Sequence, residues 1–199
     1  MRILFIGAEG TVGRAAAAEL ARRHEVIKAS RSSGDLKVDL TKRDTIEAMF
    51  AKAGKVDAVV CAAGHVHFGP LPKMTEAEFR KGLDDKLMGQ VNLVLAGLPH
   101  VNDGGSFTLT SGITNRDPIR GGVSAATVNG ALEGFVIGTA IELPRGIRIN
   151  VVSPGLLEES AKTYDGYFPG HVPVSSARVA QGFVKSVEGA ITGQVITID

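Results

Sequence analysis

The chain has 199 residues, 44% of them hydrophobic, enough for one sizeable core and close to the upper end of the single-domain range. Lys and Arg total 22 against 21 Asp and Glu, so the net charge of +1 gives no broad basic field to hold a nucleic-acid backbone. The most apolar windows, 56–64 and 91–101, are broken by Asp57, Asn92 and His100, short of the roughly 18 apolar residues of a membrane helix. Neither nucleic acid nor membrane is expected as a partner.

In chain order, the runs 3–6, 26–29, 56–62, 106–109, 148–152 and 195–198 are short, rich in branched residues and bounded by turn signals, the pattern of buried strands. Helical patterns lie between them. Thr41, Thr75 with Glu78 three residues on, and Ser176 are the expected N-caps, the second in capping-box form. Strand-helix alternation from end to end implies right-handed crossovers and a parallel sheet covered on both faces, a doubly wound, three-layer α/β fold of Rossmann-like type. The expectation is one domain over 1–199, with the aperiodic segment 155–175 as a substrate-side loop. MRILFIGAEG runs straight into glycines without the apolar region and cleavage site of a secretory signal, and the single Cys61 sits in an apolar run as a small hydrophobe. Both features point to the cytoplasm.

The first strand is followed by Gly7-Ala8-Glu9-Gly10-Thr11-Val12-Gly13, which opens a helix near Val12. Glycines at this spacing make a tight turn in which backbone N–H groups, at a helix N-terminus, can meet a pyrophosphate. A nicotinamide dinucleotide is the expected ligand, with Gly7, Glu9, Gly10, Thr11, Val12 and Gly13 around it. The second strand ends in Ser30-Arg31-Ser32, where an acid would hold the ribose 2′-hydroxyl of NAD and a cation would accept a 2′-phosphate. Arg31 between two hydroxyls favours NADP(H) over NAD(H), unless Arg31 is only a solvated loop charge. No metal site is expected.

Further local patterns follow in order: Val38-Asp39-Leu40, Cys61-Ala62-Ala63-Gly64, Thr110-Ser111-Gly112, Asn129-Gly130-Ala131-Leu132-Glu133-Gly134-Phe135, the run from Gly146 to Gly155, and Thr192-Gly193-Gln194-Val195. Through them the chain resembles the short-chain dehydrogenase/reductase family over nearly its whole length. The resemblance implies a seven-stranded, mostly parallel sheet. It places Asp39 and Leu40 at the adenine, Ala63 and Gly64 with the neighbouring Ala62 along the adenosine ribose, and Pro154 and Gly155 beside the nicotinamide. The glycine turn departs from the family's usual Gly-x-x-x-Gly-x-Gly, since the middle glycine is Gly10.

The family's catalytic set is a serine, a tyrosine and a lysine four residues after the tyrosine. Ser111 matches the serine by motif, but the alignment puts Ala125 at the tyrosine and Asn129 at the lysine. Asn129 can still hydrogen-bond a ribose hydroxyl, yet supplies no positive field. Lys86 stands where the family carries an asparagine. Removing a positioned acid costs about 10²–10⁴ in rate, so either another group gives the proton or turnover is poor. The replacement candidates are His65 and His67, Tyr164 and Tyr167 with Lys86 as a nearby cation, and the charged loop of Asn115, Arg116, Asp117 and Arg120. Each also has an ordinary reading, as solvated loop or lid packing. Gly130, Gly134 and Gly138 share one helix face and ask for a close neighbour, either the sheet or a second copy, and the resemblance favours a homodimer or homotetramer.

Two functions therefore compete. One is an NADP(H)-dependent oxidoreductase acting on a small carbonyl or alcohol; the other is a catalytically silent NADP(H)-binding sensor. A structural remnant binding no dinucleotide is the third.

Overall fold

In the computed structural model, which describes residues 1–199, the first strand β1 (Arg2–Ile6) alternates Ile3 and Phe5 on one face with Leu4 and Ile6 on the other. All four are buried, as the centre of a doubly covered sheet requires. Six more strands join it: β2 (Glu25–Ser30), β3 (Leu36–Lys37), β4 (Val56–Cys61), β5 (Val101–Thr110), β6 (Arg148–Pro154) and β7 (Val195–Ile198). Their order across the sheet is β3-β2-β1-β4-β5-β6-β7, and every pairing is parallel, so the sheet is fully rather than mostly parallel. β3 is only two residues long, too short to show as an apolar run in the sequence.

Two apolar layers hold the helices. On one face α1 (Thr11–Ala21) and α6 (Ser176–Glu188) pack Ala16, Ala17, Leu20, Val179 and Phe183 against Ile3 and Phe5, with the Phe5 and Phe183 rings 6.2 Å apart. On the other face α2 (Arg43–Ala53), α4 (Met88–Gly97) and α5 (Val123–Ala140) bury Phe50, Leu93, Val128 and Leu132 against Leu4, Ile6 and Phe107. None of these helices is long and apolar enough to cross a membrane.

Helix starts follow local chemistry in part. Thr75 caps α3 (Glu76–Gly82) with a complete capping box, its hydroxyl accepting from the Glu78 amide and Glu78 accepting from the Thr75 amide. The other two caps shift. Thr41 does not cap α2; it donates instead to the Asp39 carboxylate through its hydroxyl (2.7 Å) and its amide (3.1 Å), and α2 starts after Lys42 with no side-chain cap. Ser175, not Ser176, caps α6 by accepting from the Arg178 amide, because Ser176 already turns its hydroxyl to Glu159. The glycine stripe of α5 does not face the sheet: a Cβ at Gly134 or Gly138 would meet nothing within 4 Å.

Between α3 and α4 the chain makes one π-helical turn, Leu83–Leu87, so 76–97 forms a continuous helical run with a widened turn in its middle. Such turns redirect one side chain relative to the regular helix face. Lys86 lies within this turn.

Candidate functional site

The strand order reverses direction between β1 and β4, and the crevice at the carboxyl ends of these two strands is where open α/β sheets bind ligands. The glycine turn fills this point. Gly7, at φ +81°, donates to Ala29 O (3.0 Å), and a Cβ on it would lie 2.7 Å from Ala62 O. Gly13 is tighter still, since its Cβ would fall 2.0 Å from Gly7 O. Helix α1 starts from Gly10 without a side-chain cap, leaving the amides of Thr11, Val12 and Gly13 without intrahelical acceptors at the positive end of the helix. The turn is thus compressed onto the sheet edge, with its free N–H groups at the mouth of a groove.

That groove has two lobes, which share Gly7, Gly10, Ala63, Gly64 and His65. The smaller, of about 330 Å³, runs beside Glu9, Ser30, Arg31, Ser32, Ser33, Asp39 and Leu40. Ser30 and Ser33 hydrogen-bond one another, and Ser33 donates to the Glu9 carboxylate. Arg31 is exposed and forms no ion pair. The two hydrogen bonds from Thr41 hold the Asp39 carboxyl below the usual carboxylate range. Sequence reasoning put Glu9 at this site without noting that its carboxylate stands in the same lobe as Arg31.

The larger lobe, of about 560 Å³, lies between the glycine turn, Thr11 and Val12 on one side and Pro154 and Gly155 on the other. Its floor carries Ala62, Gly112, Ala125, Asn129 and Lys86, and its outer wall is Phe68, Leu156, Tyr164 and Phe168. Phe68 and Tyr164 stand 6.0 Å apart and Tyr164 meets Phe168 edge-on at 5.9 Å, so segment 155–175 is pinned across the lobe by aromatic contacts. Tyr167 is exposed and outside both lobes. His65 touches both lobes and pairs with Asp85 at 3.1 Å; His67 lies outside them, 3.7 Å from Glu78.

Ser111 directly follows the end of β5. Its hydroxyl donates to Glu133 Oε1 (2.9 Å), and the cavity wall at this edge of β5 is formed by the next residue, Gly112. Glu133 is the hub of a polar knot behind the lobe. It also accepts from Ser153 Oγ (3.1 Å) and Asn115 Nδ2 (2.6 Å), while Arg116 bonds Ser153 and, at 2.9 Å, the Asp199 carboxylate. The sequence did carry a signal for this, because Glu133 follows Asn129 by four residues and so shares its helix face. What it lacked was the direction in which Ser111 leaves the strand end.

Asn129 is also committed within the protein. Its Nδ2 donates to Gly112 O (3.1 Å) and to Thr114 Oγ1 (2.9 Å), which uses both N–H groups, so it has no donor left for a ribose hydroxyl. Its Oδ1 accepts from Lys86 Nζ at 2.7 Å, and the same ammonium donates to Ser111 O at 2.8 Å. Lys86 reaches this point by passing beneath Gly64, where a Cβ would lie 2.7 Å from Lys86 Cγ. Burial lowers the Lys86 pKa from 10.5 to about 8. The ammonium is thus delivered from the π turn and the amide from α5 (Val123–Ala140).

Comparison with known proteins agrees with this architecture. A family model described as Enoyl-(Acyl carrier protein) reductase matches residues 7–199. The trihydroxynaphthalene reductase of Colletotrichum orbiculare is 28% identical over 249 residues, covering 98% of this chain and 87% of that protein. An oxidoreductase of Methylorubrum extorquens is 30% identical over 129 residues, 64% of this chain and 52% of its own length. Among solved structures, the protein lin1944 from Listeria innocua superposes with a TM-score of 0.99 at 50% identity, each chain covered completely. A small-chain dehydrogenase in complex with NADPH superposes with a TM-score of 0.88 at 25% identity, over 100% of this chain and 96% of that one.

Proposed function

Since the chain belongs to the short-chain dehydrogenase/reductase family, we propose that it binds NADP(H), in preference to NAD(H), in the two-lobed groove and acts as an oxidoreductase on a small carbonyl or alcohol. The observation that carries this reading is the glycine turn, where a Cβ at Gly7 or Gly13 has no room and the free amides of α1 open onto the groove. In this reading the turn, with Gly10 and the amides of Thr11 to Gly13, holds the pyrophosphate. Ser30, Arg31 and Ser32 take the 2′-phosphate, Asp39 and Leu40 border the adenine, Ala62, Ala63 and Gly64 follow the ribose, and Pro154 and Gly155 back the nicotinamide. The structural relative bound to NADPH supports the choice of cofactor. When bound, the nicotinamide supplies or accepts a hydride at its C4.

A carbonyl acceptor also needs a proton, and Gly112, Ala125 and the committed Asn129 offer none. This supports a second reading, a protein that binds NADP(H) and senses its state without turnover. NADPH fluorescence measured on mixing, followed by absorbance at 340 nm against aldehydes, ketones and quinones, separates the two. The expected result is enhanced fluorescence with consumption; enhancement without consumption on any acceptor favours the sensor, and no enhancement overturns both.

The exposed apolar side chains of α4 and α5, Leu95 at 54% and Ile137 at 55% exposure beside the open Gly134 and Gly138, favour assembly into a homodimer or homotetramer. The buried Cys61, its thiol pushed up to about 12, is inert packing of the kind suited to a reducing cytoplasm.

A further inference from the structure

The larger lobe contains no Asp, Glu or Arg on its wall, and Lys86 is its one lysine. Two of the three ammonium donors go to neutral oxygens, Ser111 O and Asn129 Oδ1, and no carboxylate lies within the 4.0 Å of an ion pair. Glu133 stands behind the floor with its oxygens occupied by Ser111, Ser153 and Asn115, and Asp85 is paired with His65. Taking a cation out of water is costly, and this burial lowers the Lys86 pKa even though the Glu133 carboxylate, beyond ion-pair distance, acts to raise it. A ligand oxyanion on the remaining N–H would relieve the cost through a charge-assisted hydrogen bond. The same lobe is lined by the aromatic side chains of Phe68, Tyr164 and Phe168, which suit a flat apolar body.

From this juxtaposition we propose that the larger lobe takes a small aromatic oxyanion as its substrate-side ligand, with the charged oxygen on Lys86 Nζ and the ring against Phe68, Tyr164 and Phe168. The inference deepens the oxidoreductase reading and rests on the dinucleotide sharing the groove. It assigns Lys86 a specificity role that no motif predicts, because the lysine arrives from the π turn.

The test compares benzoate with its neutral isostere benzamide by titration calorimetry at pH 7, on the protein free and saturated with NADPH. Benzoate is expected to bind the NADPH-loaded protein about tenfold or more tightly than benzamide, the size of one charge-assisted hydrogen bond. In K86M, or in K86Q should K86M fold poorly, that preference disappears, while F168A weakens both ligands alike. Equal affinity, no binding of either ligand, or a preference that survives in both Lys86 variants overturns the proposal. Competition between benzoate and NADPH also overturns it, since the ammonium would then belong to the cofactor. If NADPH itself fails to bind, the dinucleotide reading falls, and benzoate discrimination in the free protein still decides whether Lys86 selects an oxyanion.

Discussion

Arg31 and Glu9 line the same small lobe with opposite charges, Arg31 free of any ion pair and Glu9 held by Ser33. If Arg31 receives a 2′-phosphate, R31A should weaken NADPH binding about tenfold and leave NADH binding unchanged, the scale of one charged hydrogen bond. E9Q should move the other way, tightening NADPH by removing a like charge. Fluorescence titration of both cofactors on the two variants checks this, and a fall in NADH affinity with R31A equal to that of NADPH would reduce Arg31 to a general contact. At this scale residue types were legible and directions were not. The alignment found Ser111 and Asn129, but the hydroxyl of the first is turned onto Glu133 and the donors of the second are used on Gly112 and Thr114. Those orientations depend on partners 22, 17 and 15 residues away along the chain, beyond what a local motif encodes.

The element that decides the electrostatics is the π turn at Leu83–Leu87. In sequence, Lys86 stands as a candidate cation at the family's asparagine position, with a solvent-facing helix lysine as the ordinary alternative. One widened turn brings Lys86 beneath Gly64 instead. The consequence is a signed pH dependence. Its folded pKa of about 8 lies below the unfolded 10.5, so between these values the unfolded chain binds more protons and stability rises with pH. The penalty is fully present below pH 8 and is relieved as the pH climbs. Cys61, whose folded pKa is raised to about 12 from 9.0, works in the opposite direction above pH 9, so the useful window is pH 7.5–9. Over that window the urea midpoint of the wild type should rise relative to that of K86M, with Glu133, Asp85 and His65 common to both proteins. Parallel midpoints would show the ammonium to be no more strained than one in water.

At the level of the whole molecule, α4 and α5 present a face that the single chain leaves open. Ile141 is 89% exposed, and the expected close neighbour of the glycine stripe is absent from this chain. A stripe costing about 0.8–1 kcal/mol per glycine relative to alanine is explained if a second copy packs there. I137E should then convert the wild-type dimer or tetramer to a smaller species in sedimentation while preserving the helical circular dichroism spectrum. A wild type already monomeric at micromolar concentration would contradict the assembly.

By itself the sequence determined the alternation of strands and helices, hence a parallel doubly wound sheet, and the glycine turn at its centre. Both follow from local rules: buried strands read as short apolar runs, and a turn pressed against neighbouring backbone admits only glycine. Only the tertiary structure decided what the site contains. It set Lys86 against Asn129, 43 residues apart, turned Ser111 away from the cavity and left Gly112 and Ala125 on its wall. Side-chain direction and the sign of a cavity's charge are properties of several elements meeting, and no single segment of this chain carries them.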